Sequence, residues 1–349
     1  VTATALIGAQ HGSEGKGVIA AAIAGRFDVA VRTGGPNAGH SLWHDGRVYK
    51  MRGVPCAWIN PECRLVIGAG AVVDLELLAS ELRDLPGVEV IVDTQAVVVN
   101  HEMQAAEKGM WEAIGSTQEG VGAARIAKIL RTGHPLVQDV EWKAGDPWDR
   151  IHPEAHTADL LYQALVDDQE VMLEGTQGAA LSLHHGDWPY CTSADTNVAQ
   201  LLADAGVAPR FLRHTYLVAR TFPIRVAGNS GPMARETTWS ELGQEEERTT
   251  VTNRVRRVGF WDDALYRRAA AINGPCGTFL TFADYLAPEL RGTTDYGPFM
   301  LKPEIRDLVD YIEETSGAPV LGFGTGPRAD GAWQVATASS RCAHGDYWT

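Results

Sequence analysis

Apolar runs of strand length alternate with stretches of helical character along most of the chain. The runs read ATALIGA (3–9), DVAVRT (28–33), RLVIGAGAVV (64–73), VEVIVDTQAVVV (88–99), EVMLEG (170–175), HTYLVARTFPIRV (214–226), TFLTFADYL (278–286) and PVLGFG (319–324). Helices are predicted from Gly15 to Phe27, Asp74 to Arg83, Glu119 to Leu130, Thr196 to Ala205, Trp261 to Ile272 and Pro303 to Thr315. Strands that are apolar throughout, separated by helices, predict an α/β fold: a large, mainly parallel central sheet flanked by helices. No linker rich in Gly, Pro and Ser interrupts the pattern and no repeat is visible, so residues 1–349 read as one domain with long loops.

Composition narrows the partners. A chain of 349 residues that is 45% hydrophobic has the material for a large core. Its formal charge of −14 argues against a general nucleic-acid surface, because phosphate-backbone binding needs clustered Lys and Arg. Anionic ligands must be met by local arginines. The five cysteines, Cys56, Cys63, Cys191, Cys276 and Cys342, are scattered without C-x-x-C spacing, and read as reduced thiols in a cytoplasm. No run approaches the roughly 18 apolar residues of a membrane span, and the first residues show no basic segment followed by an apolar one. The expectation is a soluble, cytoplasmic protein with no membrane partner.

The candidate chemistry begins in IGAQHGSEGKG, residues 7–17, between the first strand and the first helix. Backbone N–H groups and the positive end of a helix dipole favour an anion there. The loop departs from G-x-x-x-x-G-K-[ST], having Gln10 and Gly17 where that motif needs Gly and Ser or Thr, so it is no routine P-loop. Alone, it reads equally as a tight turn for packing. A second loop, TGGPNAGHS (33–41), adds glycines, the two-sided amide of Asn37 and the imidazole of His40. A histidine beside a phosphate loop is a candidate general acid.

Together, GAQHGSEGKG and GGPNAGH resemble the adenylosuccinate synthetase family, whose pattern reads GxQWGDEGKGK followed by GGxNAGH. AIGSTQEGVGAARIAKILRTG (113–133), LEGTQGAALSLHHGDWPYCTS (173–193), TTVTNRVRRVGFWD (249–262), LTFAD (280–284) and GTGP (324–327) follow in the family's order. The resemblance implies a P-loop-related α/β fold and a ligase that couples a purine 6-oxo group to the amine of L-aspartate, using a nucleoside triphosphate and Mg2+. The 6-oxygen is phosphorylated first, and the amine then displaces phosphate. It implies that Gly12, Gly15, Lys16, Gly17, Gly39, His40, Ser41, Arg256, Phe282, Asp284, Gly324, Thr325 and Gly326 surround the triphosphate. The monophosphate falls to Ser13, Glu14, Asn37, Ser116, Thr117, Arg131, Gln177, Thr192 and Arg254. Val251, Thr252, Arg254 and Arg256 form the loop over aspartate, with Arg forks as carboxylate clamps. Chemistry rests on Ser13, Lys16, His40 and Gln177, and metal ligation on Ser13 and the carbonyl of Gly39. Arg131 matches an arginine that reaches a neighbouring subunit's site, which implies a homodimer.

Two departures carry information. The family's aspartate, both base and metal ligand, is Ser13 here, and a hydroxyl is a weak neutral ligand and no base by itself. Lost catalysis is one reading. The other is a changed substrate: a shorter hydroxyl makes room for the 2-amino group of guanine and offers it an acceptor. That change resembles the phage-type branch, the 2-amino-2′-deoxyadenylosuccinate synthetases, which join dGMP to aspartate on the way to 2-aminoadenine in viral DNA. The second departure is Phe282, which replaces the lysine of a K-x-D signature for guanine while Asp284 remains. An aromatic ring stacks on any purine, so ATP or dATP is expected as donor ahead of GTP. An ordinary enzyme acting on IMP, with Glu14 or water supplying the base, and a nucleotide-binding protein without catalysis are the competing readings.

Overall fold

The computed structural model describes residues 2–133, 135–249, 253–327 and 333–337. Its main sheet has ten strands: β1 (Thr2–Gly8), β2 (Val29–Arg32), β3 (Arg64–Ile67), β4 (Val90–Asp93), β5 (Ile151–Glu154), β6 (Glu170–Glu174), β7 (Leu212–Arg220), β8 (Gly277–Thr281), β9 (Val320–Pro327) and β10 (Trp333–Thr337). The order is β10-β9-β8-β7-β1-β6-β2-β3-β4-β5. All pairs are parallel except β9 with β10. The expected α/β fold with a mainly parallel sheet is what the chain adopts.

Side-chain alternation along β1 shows why its strand is apolar throughout. Ala3, Ala5 and Ile7 enter the core on one face, with Leu161, Leu201, Tyr266 and Ile305 from four helices. Leu6 enters the core on the other face, with Ile19, Leu78 and Leu82. A strand covered on both sides has no polar face to show. The helices fall near their expected bounds, at Lys16–Ile23, Leu75–Arg83, Val121–Leu130, Val198–Ala205, Asp263–Asn273 and Pro303–Ser316. Asp74, Asn197 and Asp262 cap three of them by accepting backbone N–H bonds.

Several runs divide where one strand was expected. Residues 64–73 and 88–99 each yield a main-sheet strand and then a two-residue strand, Val72–Val73 and Val97–Val98, which pair with each other. The run 214–226 leaves the main sheet after Arg220, and Ile224–Arg225 joins Glu236–Thr237 and Arg257–Gly259 in a small antiparallel sheet. Pro223, lacking an N–H, stands at the break. Unexpected elements are the helix Thr157–Val166, the edge strand β5 and a hairpin of His40–His44 with Arg47–Met51. The hairpin turns on Asp45 and Gly46, both at positive φ, the Asp-Gly signal of a tight two-residue loop. Among the described residues, no helix is long and apolar enough to cross a membrane.

Gly8, Arg32, Glu174, Arg220 and Thr281 are the last residues of β1, β2, β6, β7 and β8. In a parallel sheet the loops leaving those ends converge, and ligand sites form there.

Candidate active site

The first loop leaves β1 at Gly8 and enters its helix at Lys16, with Gly12, Ser13 and Gly15 at φ of 85°, 60° and 84°. Glu14 is fully buried beneath it. Its Oε1 accepts the N–H groups of Gln10 at 3.0 Å and Gly12 at 2.8 Å, and its Oε2 accepts from Lys16 Nζ at 2.7 Å. Lys16 also donates to the Gln177 carbonyl. Glu14 therefore braces the loop from inside: both its side-chain oxygens are engaged by the loop and Lys16, and its side chain is not part of the cavity lining. Gly178 closes this brace. A Cβ there would lie 2.3 Å from Glu14 Oε1, 2.4 Å from the Gln10 carbonyl and 2.6 Å from the Gly12 nitrogen. Gly178→Ala is expected to lower stability by about 1–3 kcal/mol, the usual cost of overpacking, and to weaken triphosphate binding. Urea unfolding and calorimetric titration check both.

The second loop presents His40 at the start of the hairpin. Its Nδ1 lies 2.6 Å from Glu174 Oε1, which also accepts from Arg32 Nη1 at 2.8 Å, while Glu174 Oε2 accepts the Cys56 N–H at 2.7 Å. Burial opposes charge on Glu174, but the His40 hydrogen bond, the charges of His40 and Arg32 and the Cys56 N–H hold its pKa down to about 2. Burial and Arg32 hold His40 down to about 4 against the pull of Glu174. Arg32 Nη1 also lies 3.1 Å from Nδ1, but the shorter contact to an ionised Glu174 favours the imidazole proton on Nδ1, and Nε2 is buried with no hydrogen-bond partner among the described residues. Cys56 Sγ completes a close group with His40 and Glu174. The Arg32 guanidinium within it disfavours a metal cation there.

One cavity of about 360 Å³ joins the two loops. Of the sequence-predicted residues, Gly12, Ser13, Lys16, Asn37, Gly39, His40, Ser116, Thr117, Gln177, Thr192 and Arg256 line it. Asn37 Nδ2 and Thr192 Oγ1 face each other at 3.4 Å. Gly17 packs its helix onto His40, since a Cβ there would lie 2.7 Å from His40 Cβ. Ser41 pairs with Lys50 in the hairpin and is not part of the lining. Arg131 ends the helix Val121–Leu130, exposed and outside this chain's cavity.

Arg256 crosses from the small sheet to the first loop, donating from Nη1 to Ser13 Oγ at 2.7 Å. Burial lowers its pKa to about 10, so it keeps its charge at neutral pH. Arg254 is tied through its backbone N–H to Thr249 Oγ1 at 3.0 Å, and its side chain is not part of the lining. Val251 and Thr252 lie outside the described residues. Behind Ser13, the buried Arg220 donates to the Ser13 carbonyl at 3.3 Å and from two nitrogens to Glu247 at 2.5 and 3.2 Å. The same guanidinium sits 3.8 Å from the centre of the Phe282 ring.

The residues expected around the base of the triphosphate lie together beside the first loop. A Cβ on Gly15 would lie 3.8 Å from Phe282 Cε2, and one on Gly324 would lie 3.0 Å from Thr281 Cγ2. Gly326 faces the Asp284 carboxylate, and Thr325 Oγ1 donates to the Thr293 carbonyl at 3.0 Å. Phe282, Asp284 and Gly324 to Gly326 are thus assembled beside the first loop, outside the cavity itself.

A mainly parallel α/β sheet, with phosphate-type loops and a histidine–carboxylate pair converging on one cavity, defines a nucleotide-binding enzyme fold. The adenylosuccinate synthetase family model matches residues 5–145 and 148–297. The chain belongs to the adenylosuccinate synthetase family, C–N ligases of purine nucleotide synthesis. Relatives include the adenylosuccinate synthetase of Methanocaldococcus jannaschii, 33% identical over 94% of this chain and 95% of that protein. That of Thermococcus sibiricus is also 33% identical, over 93% and 96%. Among solved structures, the cyanophage S-2L succinoaminodeoxyadenylate synthetase (PurZ), bound to dGMP and to dATP as energy donor, aligns with a TM-score of 0.81 at 32% identity, covering 97% of this chain and 96% of that one. The adenylosuccinate synthetase of Plasmodium falciparum shares the fold, with a TM-score of 0.80 at 21% identity over 96% and 99%.

Proposed function

We propose that this chain joins the amine of L-aspartate to the 6-position of dGMP, giving N6-succino-2-amino-2′-deoxyadenylate for 2-aminoadenine DNA, with ATP or dATP as phosphoryl donor. The observation that carries the reading is Ser13, a small neutral hydroxyl on the cavity wall. Its oxygen accepts from Arg256 and keeps a second lone pair for the guanine 2-amino group. The binding of dGMP and dATP by the cyanophage relative supports it.

In this reading Asn37, Ser116, Thr117 and Thr192 hold the 5′-phosphate, and Gln177 donates to the 6-oxygen. Phosphoryl transfer to that oxygen, with the N1 proton passing to water and the nucleoside diphosphate leaving, is positioned by Gly12, Gly15 and Lys16, whose ammonium offsets the developing charge. His40 Nε2 faces the reacting oxygens. Negative charge from the phosphoryl group favours the protonated imidazole, which then donates to it. Arg254 and Arg256, with Val251 and Thr252, hold the aspartate carboxylates while its amine attacks C6 and phosphate leaves.

Mg2+ supplies charge neutralisation on the triphosphate when bound. Gly39, on the cavity wall, would offer its backbone carbonyl as a ligand, whereas the Ser13 hydroxyl, with a guanidinium 2.7 Å away, does not fit that role. Ile126, Ile129 and Leu130, 57%, 74% and 64% exposed, stand beside Arg131 and support a homodimer formed through that helix.

The second reading, an enzyme for IMP, is favoured by the names of the archaeal relatives. The test is purified protein with aspartate, Mg2+ and each pairing of dGMP, GMP or IMP with ATP, dATP or GTP, followed by mass detection of the succino product. Product from dGMP is the expected result. Turnover of IMP with none of dGMP sinks the proposal, and nucleotide binding without any product supports a non-catalytic protein.

A further inference from the structure

Asp284 is 1% exposed, yet only one of its oxygens has a partner. Arg291 Nε donates to Oδ2 at 2.9 Å, and Oδ1 is buried with nothing bonded to it among the described residues. A Cβ on Gly326 would lie 2.6 Å from Oδ2 and 3.1 Å from Oδ1, so backbone alone faces the carboxylate. The Phe282 ring, two residues earlier, lies against Gly15 of the phosphate loop and is backed by the Arg220 guanidinium. The ring supplies a stacking surface, and Oδ1 is an acceptor waiting for a ligand N–H.

We propose that Arg291 is a specificity residue for the nucleoside triphosphate, setting adenine above guanine by occupying one oxygen of Asp284. The inference rests on the reading that Phe282 and Asp284 receive the base of the donor. Guanine presents two adjacent donors, N1–H and the 2-amino group, which pair best with the two oxygens of an open carboxylate. Here Oδ2 already accepts from the Arg291 guanidinium, whose charge and N–H compete with the second donor of guanine for that oxygen. Turning guanine to set its 6-oxygen on Arg291 and N1–H on Oδ1 leaves the 2-amino group desolvated without an acceptor. Adenine has a single donor on that edge, its 6-amino group, for Oδ1, and its N1 is an acceptor for a remaining N–H of Arg291. The side chain of Arg291 is 45% exposed, so replacing it leaves the core packing intact.

The test is equilibrium binding of ATP and GTP, with Mg2+, to the full chain and to Arg291→Ala, Arg291→Lys and Phe282→Ala, read by calorimetry so that turnover is not required. Wild type is expected to bind ATP at least tenfold more tightly than GTP. Arg291→Ala should cut that ratio at least tenfold by strengthening GTP, and Arg291→Lys should retain part of it. A ratio unchanged in Arg291→Ala overturns the inference alone. Wild-type preference for GTP overturns it together with the ATP assignment. If Phe282→Ala leaves both affinities unchanged, the base lies elsewhere and the underlying reading fails.

Discussion

Ser13→Asp should move the preferred substrate from dGMP toward IMP, lowering the ratio of their kcat/KM values by about 10- to 100-fold. The range follows from the roughly 1–3 kcal/mol that one mispaired group costs in a shaped site. Ser13 lies on the cavity wall with its Oγ 2.7 Å from Arg256 Nη1. A carboxylate there would take the same guanidinium as an ion pair and project further into the cavity. Guanine would lose room for its 2-amino group. Hypoxanthine, with nothing at that carbon, would lose none and would gain a base facing N1. Steady-state kinetics on both substrates decide the matter, with aspartate and the donor saturating. Equal loss on dGMP and IMP would mean that Ser13 does not read the 2-position, and that the introduced carboxylate merely locks Arg256 to the loop. Arg256→Lys in the Ser13→Asp background separates these cases, because a lysine relaxes the lock and leaves the carboxylate.

The loops that carry glycine, lysine and histidine were legible because their spacing departs from what a packed helix or strand needs. Ser116, Thr117, Gln177 and Thr192 joined them through motif order, and they do line the same cavity. What the sequence hid is the layer behind. Glu174, Arg32 and Arg220 each close an apolar strand, and a charged residue in that place was the available signal. Its partner could not be read, since the Glu174–His40 contact spans 134 residues and Arg220–Glu247 depends on how the small sheet folds over the loop. The brace made by Glu14 was hidden for the opposite reason. Its neighbours along the chain point to the ligand, while the left-handed turn at Ser13 and Gly15 directs its carboxylate under the loop. The helix Thr157–Val166 and the edge strand β5 escaped because their exposed faces dilute the apolar pattern. In β5 a proline is tolerated because only one side of the strand is paired.

Glu174→Gln should lower kcat by about 10²- to 10⁴-fold, the range expected when a general acid–base group loses its correct protonation state. KM for the triphosphate should change little. The glutamine keeps the size of the side chain but not its charge, and its single carbonyl oxygen must serve Arg32, the Cys56 N–H and His40, so no ionised acceptor fixes the proton on His40 Nδ1. Stability should fall as well, by roughly 3–5 kcal/mol, because Arg32 would stay buried beside a neutral amide. Activity is therefore compared at equal folded fraction, judged by urea unfolding. The sharper measurement is the cycle with His40→Ala. If Glu174 acts on the reaction only through the imidazole, the double variant should be no slower than His40→Ala alone. Losses that multiply would assign Glu174 a separate part, carried by its second oxygen through the Cys56 N–H to the segment packed against the first helix. Arg32→Met distinguishes charge from position: it removes the ion pair while leaving the 2.6 Å contact between Glu174 and His40 free to form. Removing that positive charge should raise the His40 pKa, which histidine proton NMR can follow directly.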